Sequence, residues 1–273
     1  MAVTCQDRLM QRNVTAHLEL EIRGRTNMIF SVAVAQNNLL GSESLNFVLD
    51  GVPVASKEII DRHGTRLHQV IATPGAMVVD YSAEIIGTSL PIYSEEIDQI
   101  SYLRQSRYCE SDVLTPTARA QFASLTGHEL LAAVSSWVGS QLRYLRGSSR
   151  STDGAVHTLL LRAGVCRDFA HVAIALLRAL GIPARMVSVY APGLTPMDFH
   201  AVCEAYLEGS WHLIDATGLA PRQSLVRIAT GRDAADVAFL TNHWADLILR
   251  KLTVTAIVDE LPVDDTLQLV TMG

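Results

Sequence analysis

A run of apolar residues at helical spacing constrains this sequence more than any other feature, because it begins directly at a cysteine. The apolar positions are Phe169, Val172, Ala173, Leu176 and Leu180. Their period predicts a buried amphipathic helix over residues 166–180. Gly164 ends the preceding element, and Gly181 with Pro183 supplies a stop signal at the other end. Cys166 is therefore expected in the first turn of a buried helix.

The segments around this helix predict helices first and an antiparallel sheet afterwards. Helical periodicity precedes it at Thr117–Leu125 (with Thr115 as N-cap and Pro116 at the first position), Glu129–Leu145 and Ala155–Ala163. β-type segments follow it at Arg185–Tyr190, Ala201–Leu207, Trp211–Asp215, Leu225–Ala229 and Leu247–Val258, with a short helix at Asp233–Leu240. Glu208-Gly209-Ser210 joins two of these strands into a hairpin. This order is typical of an α+β domain.

The first hundred residues have the pattern of short strands separated by turns. The alternating or β-type segments are His17–Ile22, Met28–Ala35, Leu45–Val54, Arg66–Thr73 and Ala76–Ile85. Such spacing favours an antiparallel sandwich or barrel. We predict an all-β, sandwich-like N-terminal domain over residues 1–100, a connector over 101–115, and an α+β core of helices packed on an antiparallel sheet over 116–273.

The composition argues against several classes of protein. Of the 273 residues 49% are hydrophobic and 18% are charged, as in an ordinary globular protein. A net charge of -6 without a Lys/Arg cluster argues against a nucleic-acid partner. No stretch reaches the roughly 18 apolar residues of a membrane helix. Residues Met1–Gly24 lack the apolar segment of a signal peptide.

The cysteines point to a reducing compartment. The four of them are Cys5, Cys109, Cys166 and Cys203, and none belongs to a CxxC pair. Neither a disulfide framework nor a zinc knuckle is expected from this spacing. We predict a cytoplasmic protein with free thiols.

Three residues combine into a candidate nucleophilic site. The positive end of a helix favours a thiolate at Cys166, and the free backbone N–H groups there can bind an oxyanion. His200 opens one strand of the predicted hairpin and Asp215 closes the other, so antiparallel pairing brings them together. A carboxylate beside an imidazole holds one tautomer and stabilises the cation. A helix packed on one face of the sheet allows Cys166 to complete the array.

The residues around these positions resemble a known family. The segments are Gly164-Val165-Cys166-Arg167-Asp168-Phe169-Ala170-His171, Leu180-Gly181-Ile182-Pro183-Ala184-Arg185, Asp198-Phe199-His200-Ala201, Glu204-Ala205-Tyr206-Leu207 and Trp211-His212-Leu213-Ile214-Asp215-Ala216-Thr217. In this order they are similar to the nucleophile, histidine and aspartate segments of the bacterial transglutaminase-like superfamily. Residues 106–112 and 230–237 resemble its subgroup with an N-terminal β-region. The resemblance covers essentially the whole chain. It implies a papain-like, transglutaminase-like core after the β-domain, with Cys166, His200 and Asp215 as catalytic triad.

The residues near this predicted triad are expected to have supporting roles. Val202 stands where such sequences usually carry tryptophan. We expect the loss of this aromatic side chain to reshape the acyl pocket. Asp168 favours the helix start but opposes a thiolate unless a cation such as Arg167 offsets its charge. His171 is expected to be a structural hydrogen-bonding residue, with a second-base role as the alternative. Tyr144 is expected to be buried in the predicted helix, with oxyanion donation as the alternative. We expect Asp168, His171 and Tyr144 to support the site from behind the triad.

A metal site is a further arrangement to consider. Cys203 and His212 lie on the two strands of the hairpin and could face each other. With Cys166 and His200 they could be drawn as a Cys2His2 site. The spacing matches no standard zinc pattern, so neither a metal nor an organic cofactor is expected.

The remaining polar candidates are expected to have plainer roles. Arg232, Asp233 and Asp236 are interpreted as a solvated helix cap, with substrate recognition as the alternative. Cys5 and Cys109 are expected to have no part in the site.

The chemistry predicted from these residues is thiol-dependent acyl transfer on peptide, protein or other amide substrates. Water as second nucleophile gives a peptidase or amidase, and an amine gives a transglutaminase; we favour hydrolysis because water is always present and no acceptor-amine site is evident. One alternative is a catalytically silent module that binds a peptide on the same fold. Another is a structural metal-binding protein.

Overall fold

The computed structural model describes residues 10–266 and 268–272, and the interpretation of Cys5 lies outside them. The N-terminal half contains the strands β1 (Gln11–Ile22), β2 (Thr26–Phe30), β3 (Leu40–Leu49), β4 (Val52–Pro53), β5 (Lys57–Ile60), β6 (Arg66–Ala72) and β7 (Gly75–Ile86), with a 3-10 turn at Arg62–Gly64. There follow α1 (Glu96–Ser101), α2 (Ser111–Phe122), α3 (Gly127–Gln141), β8 (Arg143–Tyr144), α4 (Ala155–Leu161) and β9 (Ala163–Gly164).

The remaining elements begin at the predicted cysteine. They are α5 (Cys166–Ala179), β10 (Ala184–Tyr190), β11 (Phe199–Leu207), β12 (Ser210–Ile214), a 3-10 turn at Arg222–Ser224, β13 (Val226–Gly231), α6 (Ala234–Val237), β14 (Leu240–His243) and β15 (Leu247–Val258). The predicted helix at residues 166–180 and the hairpin around Glu208-Gly209 are thus present. Within the described residues no helix combines the length and apolar character needed to cross a bilayer.

Two antiparallel sheets form a β-sandwich, mostly from the N-terminal strands. One has the strand order β15-β1-β7-β3-β4 and the other β14-β2-β6-β5. Alternate residues of β1 are buried, as its period of two predicts. Phe30 of one sheet and Phe47 of the other have ring centroids 5.1 Å apart, so the two apolar faces interdigitate. The predicted N-terminal β-region is confirmed.

A further antiparallel sheet, outside the sandwich, packs against the helices. Its strand order is β12-β11-β10-β13, and we refer to it as the central sheet. Every residue of α5 from Asp168 to Arg178 is buried, because the sheet covers one side and α2, α3 and α4 cover the others. Apolar side chains of α5 share one core with Met186 and Cys203 of the sheet. The α+β class is confirmed.

The start of α2 differs from the prediction. The helix begins at Ser111, so Pro116 lies inside it and not at its first position. A proline inside a helix costs about 3 kcal/mol. Packing against α5 offsets this cost, and the buried α2 side chains are Leu114, Ala118 and Phe122. Tertiary contacts therefore override the local signal at Thr115-Pro116.

The last strands return to the sandwich. β15 pairs with β1 and β14 pairs with β2, both antiparallel. The sequence analysis placed these strands in the α+β core over residues 116–273. In the structure, Val254 and Ala256 of β15 are buried in the sandwich interior, so β15 belongs to the sandwich. The divisions at residues 100 and 116 stay a prediction.

Candidate functional site

The N-terminus of α5 is held by the residues around Cys166. Val165 is the N-cap in an extended conformation, and its N–H donates to the Asp168 carboxylate over 2.8 Å. Asp168 is fully buried and also pairs with Arg167, whose Nη2 lies 3.2 Å from its Oδ1. A Cβ at Gly164 would lie 2.7 Å from the Cβ of Asp168, so only glycine fits there. Half-buried Cys166 is thereby fixed in the first turn, at the positive end of the helix dipole.

The β11–β12 hairpin brings His200 and Asp215 to the same end. Its two-residue turn, Glu208-Gly209, has φ values of 51° and 85°. Positive φ at both positions matches the right-handed twist of the strands and permits a tight hairpin. Asp215 follows the last residue of β12 and lies beside the start of β11, as its position in the sequence predicted.

A hydrogen bond joins His200 to Asp215 in a buried environment. Nε2 of His200 lies 2.8 Å from Oδ2 of Asp215, and the two residues are 1% and 8% exposed. The other carboxylate oxygen, Oδ1, accepts from the N–H and the hydroxyl of Thr217 at 2.9 and 2.7 Å. Thr217 thus fixes the carboxylate, and the carboxylate fixes the imidazole.

The Cys166 thiol completes this cluster. Burial lowers the pKa of His200, but the charge of Asp215 and the hydrogen bonds with Asp215 and Cys166 outweigh it and raise the pKa to about 10. For Asp215, burial raises the pKa, but the charge of His200 and the hydrogen bonds from His200 and Thr217 bring it below its usual value. Nε2 bonds to Asp215, and the buried Nδ1 has no partner at ordinary hydrogen-bond distance among the described residues, so Nδ1 is the nitrogen available to the Cys166 thiol. Such contacts are often poorly aligned before substrate binds.

Tyr144 does not lie in a helix. The chain leaves α3 after Gln141, because Leu142 is extended, and Tyr144 pairs with Gly164 in the parallel β8–β9 ladder. This pairing places the phenol beside Cys166, whose backbone N–H hydrogen-bonds to it. Burial and the charge of Cys166 raise the pKa of Tyr144 to about 12, so the hydroxyl keeps its proton at neutral pH. The sequence-based expectation of a tyrosine buried in the helix is wrong.

His171 is a buried residue with a neutral ring. Its Nε2 accepts from the N–H of Ala234 at 3.2 Å, and the ring stacks on Tyr108 with centroids 5.3 Å apart. Burial lowers the pKa of His171 to about 3, against the opposing charge of Asp233. A neutral imidazole that anchors α6 matches the interpretation as a structural hydrogen-bonding residue.

The hypothetical metal ligands do not form a cluster. Cys203 pairs with Ile214 across the hairpin, so it does not face His212, and His212 bonds through Nε2 to the carbonyl of Leu207. Within residues 10–266 and 268–272 no group of three or more His, Cys, Asp or Glu residues could hold a metal ion. Cys109 is fully buried, and this burial raises its pKa to about 12, which makes it a poor nucleophile.

The polar segment before α6 is only partly a solvated cap. Arg232 and Asp236 form an ion pair at 2.9 Å, in which Arg232 is exposed and Asp236 is half-buried. Asp233 is buried, caps α6 through the N–H of Ala235, and also accepts from the N–H of Tyr108 at 2.9 Å. The interpretation as a solvated cap is therefore wrong for Asp233. This buried carboxylate links α6 to the connector before α2.

A buried ion cluster in the central sheet was missed by the sequence analysis. Glu204 lies between Arg185, with Nε–Oε2 2.8 Å, and Arg227, with Nη2–Oε1 2.5 Å. Arg185 also lies over the ring of Trp211, 3.9 Å from its centroid. The two arginines lower the pKa of Glu204 to about 2, although burial raises it. Their pairing depends on sheet register, which no local pattern reveals.

Comparisons with known proteins identify the family and the fold. A family model described as the Transglutaminase-like superfamily matches residues 117–216, a range that includes Cys166, His200 and Asp215. The crystal structure of a "Putative Cysteine Protease" from Cytophaga hutchinsonii superimposes with a TM-score of 0.85 at 32% identity, covering 93% of this chain and 92% of that one. The expected fold of a helix-covered core with an N-terminal β-region is shared with that protein.

Shorter matches link the chain to mycobacterial proteins. An uncharacterized protein of Mycobacterium leprae is 31% identical over 123 residues, which are 42% of this chain and 44% of the relative. One of Mycobacterium bovis is 34% identical over 124 residues, which are 40% of each chain. The chain thus spans less than half the length of these curated relatives.

Proposed function

The chain belongs to the transglutaminase-like superfamily, and from this premise we propose that it is a thiol-dependent enzyme that cleaves peptide or carboxamide bonds through a thioester on Cys166. The observation that carries the proposal is the His200 ring, which is held by Asp215 at 2.8 Å and lines the same cleft as Cys166, with which it interacts electrostatically. With its pKa raised to about 10, His200 is a cation at neutral pH and can pair with a thiolate.

The first half of the reaction forms the thioester. The Cys166 sulfur attacks the carbonyl carbon, and the carbonyl oxygen becomes an oxyanion. Protonated His200 donates its proton to the leaving nitrogen as the carbon–nitrogen bond breaks. Asp215 holds the ring and stabilises its cation before the transfer.

The second half releases the acyl group. Neutral His200 accepts a proton from water, whose oxygen attacks the thioester carbon, and the Cys166 sulfur leaves as thiolate. We favour water as the second nucleophile because it is always present. An amine in its place would give transamidation, which is the alternative outcome of the same intermediate.

The oxyanion needs hydrogen-bond donors that are already in position. The backbone N–H of Cys166 at the start of α5 is one. Tyr144 is proposed as the second, because its hydroxyl lies against that N–H and stays protonated. When substrate enters, the oxyanion replaces the phenol oxygen as acceptor of this fixed N–H, and the phenol O–H is free to donate to the oxyanion as well.

Alkylation by iodoacetamide as a function of pH tests the proposal. Mass-spectrometric peptide mapping should find Cys166 labelled well below pH 8, whereas an ordinary thiol reacts with a pKa of about 8.5. His200→Ala should abolish this preference, because the cation that stabilises the thiolate is gone. Equal labelling of Cys166 and a thiol of the urea-unfolded chain would contradict the proposal and favour the silent binding module.

A substrate screen gives the matching activity test. Cys166→Ala should abolish release of a fluorescent amine from peptide amides, since no thioester can form. The matched control is Cys203→Ala, which removes a buried cysteine outside the cleft and should retain turnover. Full turnover in Cys166→Ala would refute the mechanism. Adding a primary amine and analysing the products then separates hydrolysis from transamidation.

A further inference from the structure

The cleft beside Cys166 opens into a large cavity with mainly apolar walls. Its volume is about 650 Å³, and both Cys166 and His200 line it. Sites for small organic ligands commonly measure about 300–1,000 Å³. The apolar side chains of the wall include Met186, Phe199, Ile228, Phe239, Leu240 and Leu252. The cavity can therefore hold a group much larger than the reacting amide.

Specific features of the fold shape this wall. Ser188 pairs with Ala229 while Val189 pairs with Arg227, so Ile228 is an extra residue in β13 that forms a bulge at the cavity. Phe239 stacks on Phe199, with centroids 5.3 Å apart and planes inclined by 25°. Bulges and stacked rings of this kind fix the shape of the wall before a ligand arrives.

Two buried hydroxyl groups of the wall have no partner. The Oγ atoms of Ser31 and Ser188 make no hydrogen bond within the described part of the chain, and both residues line the cavity. Ser188 lies opposite Ala201 in the sheet, and its neighbour Val189 lies opposite His200. A buried hydroxyl without a partner is unfavourable, so a ligand that hydrogen-bonds to it gains affinity.

We infer that this cavity is the specificity site for a large aromatic or long aliphatic group next to the scissile amide, with Ser188 hydrogen-bonding to a polar atom of the substrate beside that group. The inference rests on the proposed function of Cys166. A glutamine side chain, the acyl donor of a transamidation, is short and polar and would leave most of the apolar wall uncovered. The substrates are amides with a bulky apolar substituent.

A series of N-alkyl chloroacetamides tests the cavity without a known substrate. The Cys166 sulfur displaces chloride from each reagent, and only the alkyl group changes, from methyl through propyl and pentyl to benzyl. Rates are divided by the rates of the same reagents with glutathione. Each methylene that enters the cavity should raise the corrected rate about fourfold. A flat series would overturn the inference.

Variants assign the effect to this cavity. Ala235 is exposed at its rim, so Ala235→Trp should reduce the gain from longer alkyl groups without filling the core. Ala120→Trp, at an exposed position of α2, is the matched control and should keep the full gain. Ser188→Ala should lower the corrected rate about two- to tenfold by removing one hydrogen bond. Equal chain-length dependence in Ala235→Trp and Ala120→Trp would refute the site.

The same data separate this inference from the proposed function. If Cys166 reacts fast with iodoacetamide at low pH but the alkyl series is flat, the nucleophile stands and the specificity site fails. If Cys166 reacts with iodoacetamide like an ordinary thiol, the proposed function fails. If the corrected rate nevertheless rises with alkyl length, the cavity binds apolar groups beside a thiol that is not activated. That result would overturn the inference as stated.

Discussion

Replacing Asp215 by asparagine should remove the low-pH reactivity of Cys166 while preserving the shape of the site. The raised pKa of His200, from 6.5 to about 10, exists only because the charge and hydrogen bond of Asp215 and the contact with Cys166 outweigh burial. Without the carboxylate charge the burial dominates, so the pKa of His200 falls. The imidazolium that stabilises the thiolate is then lost at neutral pH.

The magnitude follows from the contact distance. Nε2 and Oδ2 lie 2.8 Å apart, and this places the centres of the two charges about 4 Å apart. At that separation an ion pair contributes about 4 kcal/mol with an effective dielectric constant near 20. Since 1.36 kcal/mol corresponds to one pKa unit, the population of the thiolate–imidazolium pair should fall by up to about a thousandfold.

The assay is the rate of iodoacetamide alkylation of Cys166 between pH 5 and 10. The unmodified chain should react at a rate that stays high from pH 6 upward, whereas the rate of Asp215→Asn should rise only in the ordinary thiol range near about 8.5. Asp198→Asn is the matched control, because Asp198 lines the same cleft and has no bond to His200. Superimposable profiles for Asp215→Asn and the unmodified chain would refute the reasoning.

Further predictions concern three other residues, Tyr144, Glu204 and Gly164. Tyr144→Phe should lower amide turnover about a hundredfold, the usual cost of one oxyanion donor, while iodoacetamide alkylation, which forms no oxyanion, stays unchanged; an equal loss in both would point to a structural role instead. Glu204→Ala should cost about 3–5 kcal/mol in urea unfolding because it leaves two buried arginines unpaired. The pKa of Glu204 is lowered to about 2, so its contribution is complete above its ordinary value of 4.5 and is lost as the pH falls towards 2; Glu204→Gln should therefore flatten the pH dependence of unfolding in that window, and an unchanged slope would contradict this. Gly164→Ala should lower the melting temperature and slow the alkylation of Cys166, because the new Cβ meets Asp168 at 2.7 Å.

Local sequence signals predicted the parts of the site that local structure builds. The apolar period after Cys166 gave the position of α5 to within one residue at its end. The Glu208-Gly209 turn gave the hairpin, and the hairpin alone is sufficient to bring His200 and Asp215 together. The strand pattern of the first hundred residues predicted the N-terminal β-region, which the fold confirms, and the family resemblance added the order of the segments.

Contacts between distant segments were out of reach for the same signals. Tyr144 continues the helical pattern of α3, yet its pairing with Gly164 draws it out of the helix and onto Cys166. Glu204 and its arginines lie on three different strands, and their contact depends on register. Asp233 looks like a surface cap until its bond to the Tyr108 N–H is known. In each case a long-range pairing decides what a local pattern leaves open.

The return of the last strands to the sandwich connects the N-terminal β-region with the chemistry. β14 and β15 pair with β2 and β1, and they carry Leu240 and Leu252 into the cavity wall opposite the central sheet. Ser31, which follows β2, contributes its hydroxyl from the same side. Cys166 and His200 come from α5 and the central sheet, so the reacting groups and the far wall belong to different layers. The proposed amide chemistry therefore belongs to the central sheet and α5, and the proposed choice of the apolar group is shared with the β-sandwich.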